Sequence, residues 1–507
     1  MAGRNAIHSA ILHSIDEKLN THLRRKMTSS IFSRLKIPHV FVLLSSVILV
    51  VSILTYLIPS GRYERTEITV GQLTRTIMIP GTYEEIPKHI SLESVILGEE
   101  MEGMATPVSL AGLISAIPRG LESVADIVFL IFICGGVIAV VNRTGTITAI
   151  IQTLIRRFKN SGPALTIVLL IAGAIAGSTI GMGEELIPLV PIFLLVSQQL
   201  GYDRVFGFVL VFLGADMGFS AATTNPFTVQ IAQGIAEVPL GSGLTFRIIF
   251  LAVIVTTAII YVLRYGHRIR RDPSSAIVPF DDGSVSTANV ENIKLRPVHI
   301  WILVQTVVIF AITLYLMQVR GWWLNEMSGG FILIGVIAII LSRLPVSEAV
   351  AAFIKGMEEM VVAALVVGFA RGIQVVLIDG QILDTVIYFA ANVLRNTSSI
   401  VAAEGMLVFQ SILNFFIPSG SGQAAVTMPL MALLSDILGI SRQTAVFAFT
   451  CGDGFSNSIV PTGGVLMGML ALSKIPYEKW LKFMMPLFLI LMGWSAVFLA
   501  IAVLINY

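Results

Sequence analysis

The chain has 507 residues, 55% of them hydrophobic and only 13% charged, with a formal net charge of +2. Soluble globular domains carry about 25% charged residues, so this composition excludes an ordinary soluble enzyme or binding module. The small net charge gives no reason to expect a nucleic-acid partner. The two cysteines, Cys134 and Cys451, both sit in apolar runs, which indicates neither a disulfide framework nor a zinc site.

The hydrophobic excess is cut into runs of roughly 15 to 25 residues, the length that crosses a bilayer as a helix. Residues 1–37 are polar and basic, with Lys18, Arg24, Arg25, Lys26, Arg34 and Lys36. Basic residues beside spans mark the cytoplasmic side, so this tail and the N-terminus are expected inside. The apolar run 39–59 is too long for the core of a signal peptide and lacks a small-residue cleavage pattern, so it reads as a first span. The polar segment 60–104 is expected outside as an ordered loop with short strands. An amphipathic helix near 107–121 and a span over 124–142 follow. The next amphipathic stretch ends in Arg156, Arg157 and Lys159, which fits the inside.

The apolar runs 163–180 and 186–199 are short and meet at Gly181-Met182-Gly183-Glu184-Glu185. Read as one hairpin, 163–199, they place the two carboxylates at membrane depth. Read as two full spans, they place them at the surface. The run 205–236 is interrupted at Phe219-Ser220-Ala221-Ala222-Thr223-Thr224-Asn225-Pro226 and reads as a helix broken near its centre. Span 245–264 returns to the cluster Arg264, His267, Arg268, Arg270 and Arg271, the strongest cytoplasmic anchor in the chain. The segment 265–297 is then a cytoplasmic linker between a first membrane repeat, 38–264, and a second, 298–507.

The second repeat holds spans near 299–317, 328–343 and 358–378. Short arms over 399–438 meet at Pro418-Ser419-Gly420-Ser421-Gly422-Gln423. A second interrupted helix, 443–472, breaks at Ser456-Asn457-Ser458 and Pro461-Thr462-Gly463. A final span covers 481–505. The repeat is legible directly. Pro118-Arg119-Gly120 answers to Ile354-Lys355-Gly356, Thr144-Gly145 to Asp379-Gly380, Gly181 to Gly420, and Gly218-Phe219-Ser220 to Gly454-Phe455-Ser456, at offsets between 235 and 239 residues.

By the count of spans, the first hairpin leaves and rejoins the inside and the second leaves and rejoins the outside. The expected fold class is therefore an all-α polytopic membrane protein with two inverted-topology repeats, each holding a re-entrant hairpin and a broken transmembrane helix. Non-helical backbone at membrane depth is tolerated only where it is buried in protein or lines a wet cavity. Interrupted segments at matching positions of two opposed halves therefore point to a transporter binding site.

Candidate site residues follow from that placement. Glu184 and Glu185 are costly at depth and suited to a substrate ammonium or a proton, whereas in a surface turn they would cost nothing. Asp216 and Asp453 sit at near-matched positions in the two broken helices and are candidates for ion or proton coupling, with a structural role as the plain alternative. Thr223, Thr224 and Asn225 in one break, and Ser456, Asn457, Thr462 and Gly463 in the other, are expected to line the site, as are Gly183, Ser419, Ser421, Gly422 and Gln423 at the tips. Small residues at these positions also serve plain helix packing. Arg371, inside span 358–378, could face a substrate carboxylate or pair with an acidic neighbour.

No HExxH metal motif and no GxxxxGK[ST] phosphate loop is present, so neither enzyme activity nor an ATP-driven pump is expected from this chain. Gly452-Asp453 and Tyr202-Asp203 resemble intramembrane aspartyl protease motifs, but Thr450 stands where those need glycine. The reading is a secondary transporter of the cytoplasmic (inner) membrane for a small molecule, with no cofactor beyond a coupling ion, Na+ or H+. A channel is set against it by the doubled hairpins, and a membrane sensor by the want of a long soluble signalling domain.

The stretches Ile58-Pro59-Ser60-Gly61-Arg62-Tyr63, Gly181-Met182-Gly183-Glu184-Glu185, Asn225-Pro226-Phe227, Ser419-Gly420-Ser421-Gly422-Gln423 and Gly452-Asp453-Gly454-Phe455-Ser456 carry a likeness. From about Leu35 to its end the chain resembles the YfcC-like branch of the four-carbon dicarboxylate carrier family, within the ion transporter superfamily. That branch includes proteins described as basic amino acid (arginine/ornithine) antiporters. The resemblance implies a homodimer whose transport domain moves like an elevator past a scaffold of 39–58, 245–264, 299–343 and 481–505. Superfamily members that carry dicarboxylates with sodium have Ser-Asn-Thr at the hairpin tips. Here the tips read Met-Gly-Glu-Glu and Gly-Ser-Gly-Gln. That departure weighs against a dianion with sodium and toward an amino acid, with a basic one favoured; a dicarboxylate carrier is the alternative.

Overall fold

Long apolar runs free of internal turn residues form helices because, inside a bilayer, only the helix satisfies every backbone group within its own segment. The computed structural model describes residues 40–70, 73–99, 101–158, 162–280, 295–320, 322 and 324–507. The basic tail 1–37, Lys159 and residues 281–294 of the expected linker lie outside the described residues. Nine of the described helices are long and apolar enough to cross a membrane.

Helix α1 (Val40–Leu57) leads into two small antiparallel ribbons, in which β1 (Ser60–Arg62) pairs with β4 (Glu84–Ile86) and β2 (Arg65–Val70) with β3 (Leu73–Met78). The strands expected over 60–104 are thus present, followed by a single helical turn, α2 (Leu92–Ile96). Lys88 Nζ donates to the Thr55 and Ile58 carbonyls at the open end of α1, and its burial pulls the ammonium below its usual range.

Then come α3 (Leu110–Ser123), α4 (Ala125–Arg143), α5 (Thr146–Phe158), α6 (Gly162–Thr179), a 3-10 turn (Glu184–Leu189), α7 (Val190–Gln199), α8 (Arg204–Ser220), α9 (Val229–Ile235) and α10 (Leu244–Arg271). Helices α11 (Pro297–Arg320) and α12 (Leu324–Ser342) follow. The chain ends with α13 (Val346–Asp379), α14 (Leu383–Leu394), α15 (Ser399–Asn414), α16 (Gly420–Leu438), α17 (Arg442–Ser456), α18 (Gly464–Ser473) and α19 (Tyr477–Leu504).

The order of elements occurs twice. A short helix (α5, α14), two arms joined at a tip (α6 and α7, α15 and α16), two half-helices (α8 and α9, α17 and α18) and a long helix (α10, α19) recur in sequence. Packing repeats as well, with α6 against α8 in one half and α15 against α17 in the other. Before this series the halves differ. The first has α3 and α4, interrupted at Val124, whereas α13 runs unbroken for 34 residues. Helix α13 lies antiparallel to both, pinned by Arg119 to Asp379 at one end and Arg143 to Glu348 at the other.

Glycines let α6 and α8 touch backbone to backbone. A Cβ at Gly177 would stand 2.1 Å from the Ala215 carbonyl oxygen, and one at Gly218 would stand 2.1 Å from that of Ala174. Membrane helices associate through such small-residue seams because lipid tails offer no hydrophobic drive between helices. The outer ribbons are fastened to the second half. Arg65 Nη2 donates to both oxygens of Asp384 at 2.9 and 3.0 Å, the Tyr63 N–H donates to the same carboxylate at 2.9 Å, and the Tyr83 ring stacks on Tyr388 at 4.1 Å.

Candidate functional site

Each interruption has backbone groups held by hydrogen bonds from its own half. Helix α6 ends with the Gly181 N–H turned back to the Ala176 carbonyl and with Gly181 at φ +80°, a conformation glycine adopts without strain. A side chain there would also meet Asn225 and Phe227. In the first break, the N–H groups of Thr223 and Thr224 both donate to the Ser178 carbonyl at 3.2 Å, and the Thr223 and Ser178 hydroxyls lie 2.8 Å apart. Asn225 Oδ1 accepts from the Phe227 N–H at 2.8 Å. Arg247 of α10, fully buried, donates to the Ala222 carbonyl at 3.2 Å.

The second break is held in the same manner by different residues. Asn414 of α15 donates to the Asp453 carbonyl and to Ser456 Oγ at 2.9 and 2.8 Å. From α19, the Trp480 indole N–H donates to the Ser458 carbonyl at 2.7 Å and the Tyr477 hydroxyl to that of Ile459.

One cavity of about 350 Å³ lies where these elements meet. Both tips line it, through Gly183, Glu184 and Glu185 on one side and Ser419, Gly420 and Ser421 on the other. The second break contributes Asn457, Thr462 and Gly463, and α8 contributes Asp216. The same cavity is lined by Asp126 of α4, Arg371 of α13, Met317 of α11 and Leu324 of α12. The walls therefore carry four carboxylates, those of Asp126, Glu184, Glu185 and Asp216, against one guanidinium. Glu185 folds back to accept the Gly183 N–H at 2.8 Å. Arg371 makes no hydrogen bond or ion pair among the described residues and shares the cavity wall with Asp126.

Other expected site residues stand behind the walls. Thr223 and Thr224 tie the first break to α6, as above, and Asn225 Nδ2 donates to the Gly177 carbonyl at 3.4 Å. Gln423 is fully buried and donates to the Gln410 backbone carbonyl at 2.9 Å and to its Oε1 at 2.7 Å. Gly422 donates its N–H to Ser419 Oγ at the start of α16, and Ser456 bonds within its own helix turn. Asp453 is fully buried behind Gly420, where a Cβ would come within 3.1 Å of its Oδ2. Neither Asp453 carboxylate oxygen, nor Asp216 Oδ2, has a hydrogen-bond partner among the described residues. Buried ionisable groups left without partners require a proton or a cation.

Sequence reasoning missed Asp126. The signal for it was an acidic residue at the head of an apolar span, just after an amphipathic helix whose end is a break. Asn414, Arg247, Tyr477 and Trp480, which hold the breaks in place, were not singled out either.

The family model described as C4-dicarboxylate anaerobic carrier matches residues 37–504. YfcC of Escherichia coli (strain K12), provisionally named a basic amino acid antiporter, is 30% identical over 498 residues, covering 94% of this chain and 98% of that protein. An uncharacterised protein of Haemophilus influenzae (strain ATCC 51907 / DSM 11121 / KW20 / Rd) is 32% identical over 426 residues, covering 83% of this chain and 80% of the relative. Among solved structures, the Alcanivorax borkumensis YdaH transporter aligns at TM-score 0.44 and 18% identity, over 93% of this chain and 99% of that one. Neisseria gonorrhoeae MtrF, from a class described as antimetabolite efflux pumps, aligns at 0.41 and 16%, over 93% and 96%.

Proposed function

The chain belongs to the C4-dicarboxylate anaerobic carrier family, and from that premise we propose that this multi-pass membrane transporter is a secondary antiporter for a small amino acid, a basic one such as arginine or ornithine, working by elevator-type alternating access. The observation that carries the reading is the cavity wall. Four carboxylates face one guanidinium, which repels a dianion and attracts a cation. Glu184 and Glu185 at the first tip hold the cationic group. Asp216 and Asp453 take up the coupling cation, H+ or Na+.

The two hairpins are re-entrant and the two halves inverted, which places both tips at membrane depth from opposite sides. The moving unit comprises the hairpins and broken helices. We assign α10 and α19 to it as well, because Arg247 and Trp480 bond to break carbonyls. The resemblance had implied a scaffold place for these two helices. The fixed unit is then α1, α3, α4 and α11 to α13.

Counterflow in proteoliposomes tests this. Vesicles loaded with unlabelled ornithine accumulate external labelled arginine well above empty vesicles. Equal uptake in both, or exchange only between four-carbon dicarboxylates, would contradict the assignment.

A further inference from the structure

The acidic side of the cavity has a cationic counterpart, which the proposed antiport of basic amino acids does not by itself explain. Arg371 is half-buried in the cavity wall and makes no hydrogen bond or ion pair among the described residues. One helical turn away on α13, Val367 packs on the first residue of α18. A Cβ on Gly464 would meet it at 3.0 to 3.2 Å. Helix α18 therefore begins beside Arg371.

It begins uncapped. Its N-cap is Gly463, which has no side chain to accept from the first turn. Unpaired N–H groups and the positive end of the helix dipole at such a terminus favour an anion. By contrast, Ser419 caps α16 through the Gly422 N–H. Next to Gly463, Thr462 lines the same cavity, is fully buried, and its hydroxyl has no partner among the described residues. A buried hydroxyl is costly to leave without a partner, so a ligand atom is the natural acceptor or donor for it.

We propose that Arg371, the Thr462 hydroxyl and the first turn of α18 form a carboxylate subsite, so that the substrate is read at two points and must carry a carboxylate beside its cationic group. The subsites are adjacent. The Cβ position of Gly183, at the tip bearing Glu184 and Glu185, lies 3.9 Å from Val465 Cγ2 in the first turn of α18. The proposal rests on the antiporter reading for its cationic half and on Arg371, Thr462 and α18 for the other. It adds a selectivity that an acidic pocket alone does not give: arginine is taken, whereas agmatine, the same cation without the carboxylate, is refused.

The test is ligand binding to the purified full chain, read as stabilisation on heating over a ligand series. The probes are arginine, arginine methyl ester and agmatine. The wild type binds arginine tighter than either of the others by about 10- to 100-fold, the range of charge-assisted hydrogen bonds to one group. Arg371→Gln brings arginine down toward the level of the ester and does not weaken the ester. Arg371→Lys retains part of the preference, and Thr462→Val reduces it several-fold.

Equal binding of arginine and its ester by the wild type overturns the proposal without any variant having to fold. So does an Arg371→Gln protein that is folded and loses both ligands alike. A wild type that answers to none of the three but to a four-carbon dicarboxylate contradicts the basic amino acid reading instead. The carboxylate subsite then stands if Arg371→Gln abolishes that response and falls if it does not.

Discussion

Glu184→Gln combined with Glu185→Gln is expected to weaken binding of a cationic substrate by at least about 100-fold while the protein stays folded. The two side chains are partly accessible and line the cavity, so their charge does not hold the fold together. A hydrogen bond to a charged partner is worth about 1.5–3 kcal/mol, and 1.4 kcal/mol is tenfold in affinity. Loss of both carboxylates therefore removes more than two decades. The measurement is equilibrium binding of labelled arginine to the purified variant, beside its melting temperature. Unchanged affinity in a folded protein would take the pair out of the site. Each single variant is expected to lose less, because the remaining carboxylate stays within reach of the same ligand.

The second large effect falls on the seam between α6 and α8. Gly177→Ala and Gly218→Ala each put a methyl group 2.1 Å from a backbone carbonyl oxygen of the facing helix. A backbone atom cannot rotate out of the way as a flexible side chain does, so the helices must separate. We expect a loss of about 3 kcal/mol or more, at the upper end of overpacking costs, read as a fall in melting temperature and in the yield of monodisperse protein. Gly329→Ala in α12 is the control, since a Cβ there meets nothing within 4 Å. Equal behaviour of all three variants would mean that this seam is not as close as described. The seam bears on function because it fixes the first tip, carrying Glu184 and Glu185, against α8, carrying Asp216.

Much of this arrangement was legible before the structure. The arms 163–180 and 399–417 are realised as Gly162–Thr179 and Ser399–Asn414, because a run of apolar residues closed by Gly or Pro has few alternatives within lipid. The breaks were marked by Asn225-Pro226 and by Pro461-Thr462-Gly463, where proline removes a donor and small polar residues replace it. Helix α14 was overlooked, although the Asp379-Gly380 match to Thr144-Gly145 implied a counterpart to α5. Its apolar stretch is only Leu383–Leu394, too short to register as a span.

Direction was harder to read than the position of each break along the chain. Thr223 and Asn225 were expected to face the site, yet they turn toward Ser178 and Phe227. The break must satisfy its own backbone, and the nearest acceptor is the end of α6. Gln423 is drawn to Gln410 on the opposite arm for the same reason. Asp126 and Arg371 lie some 245 residues apart in sequence, and no local pattern tells that α4 and α13 face one cavity. That meeting follows from the antiparallel packing fixed by Arg119 with Asp379 and Arg143 with Glu348.

The central claim is that the first tip sits at membrane depth in a pathway that a substrate occupies. Gly183→Cys reads this directly. A side chain at Gly183 meets only Val465 Cγ2 at 3.9 Å, so the tip has room for the substitution. With a membrane-impermeant maleimide applied outside sealed, right-side-out vesicles, labelling is expected to be slow and to be suppressed further by saturating substrate. Rapid external labelling that substrate does not alter would put the tip at the water surface between two plain spans, and the account would be wrong.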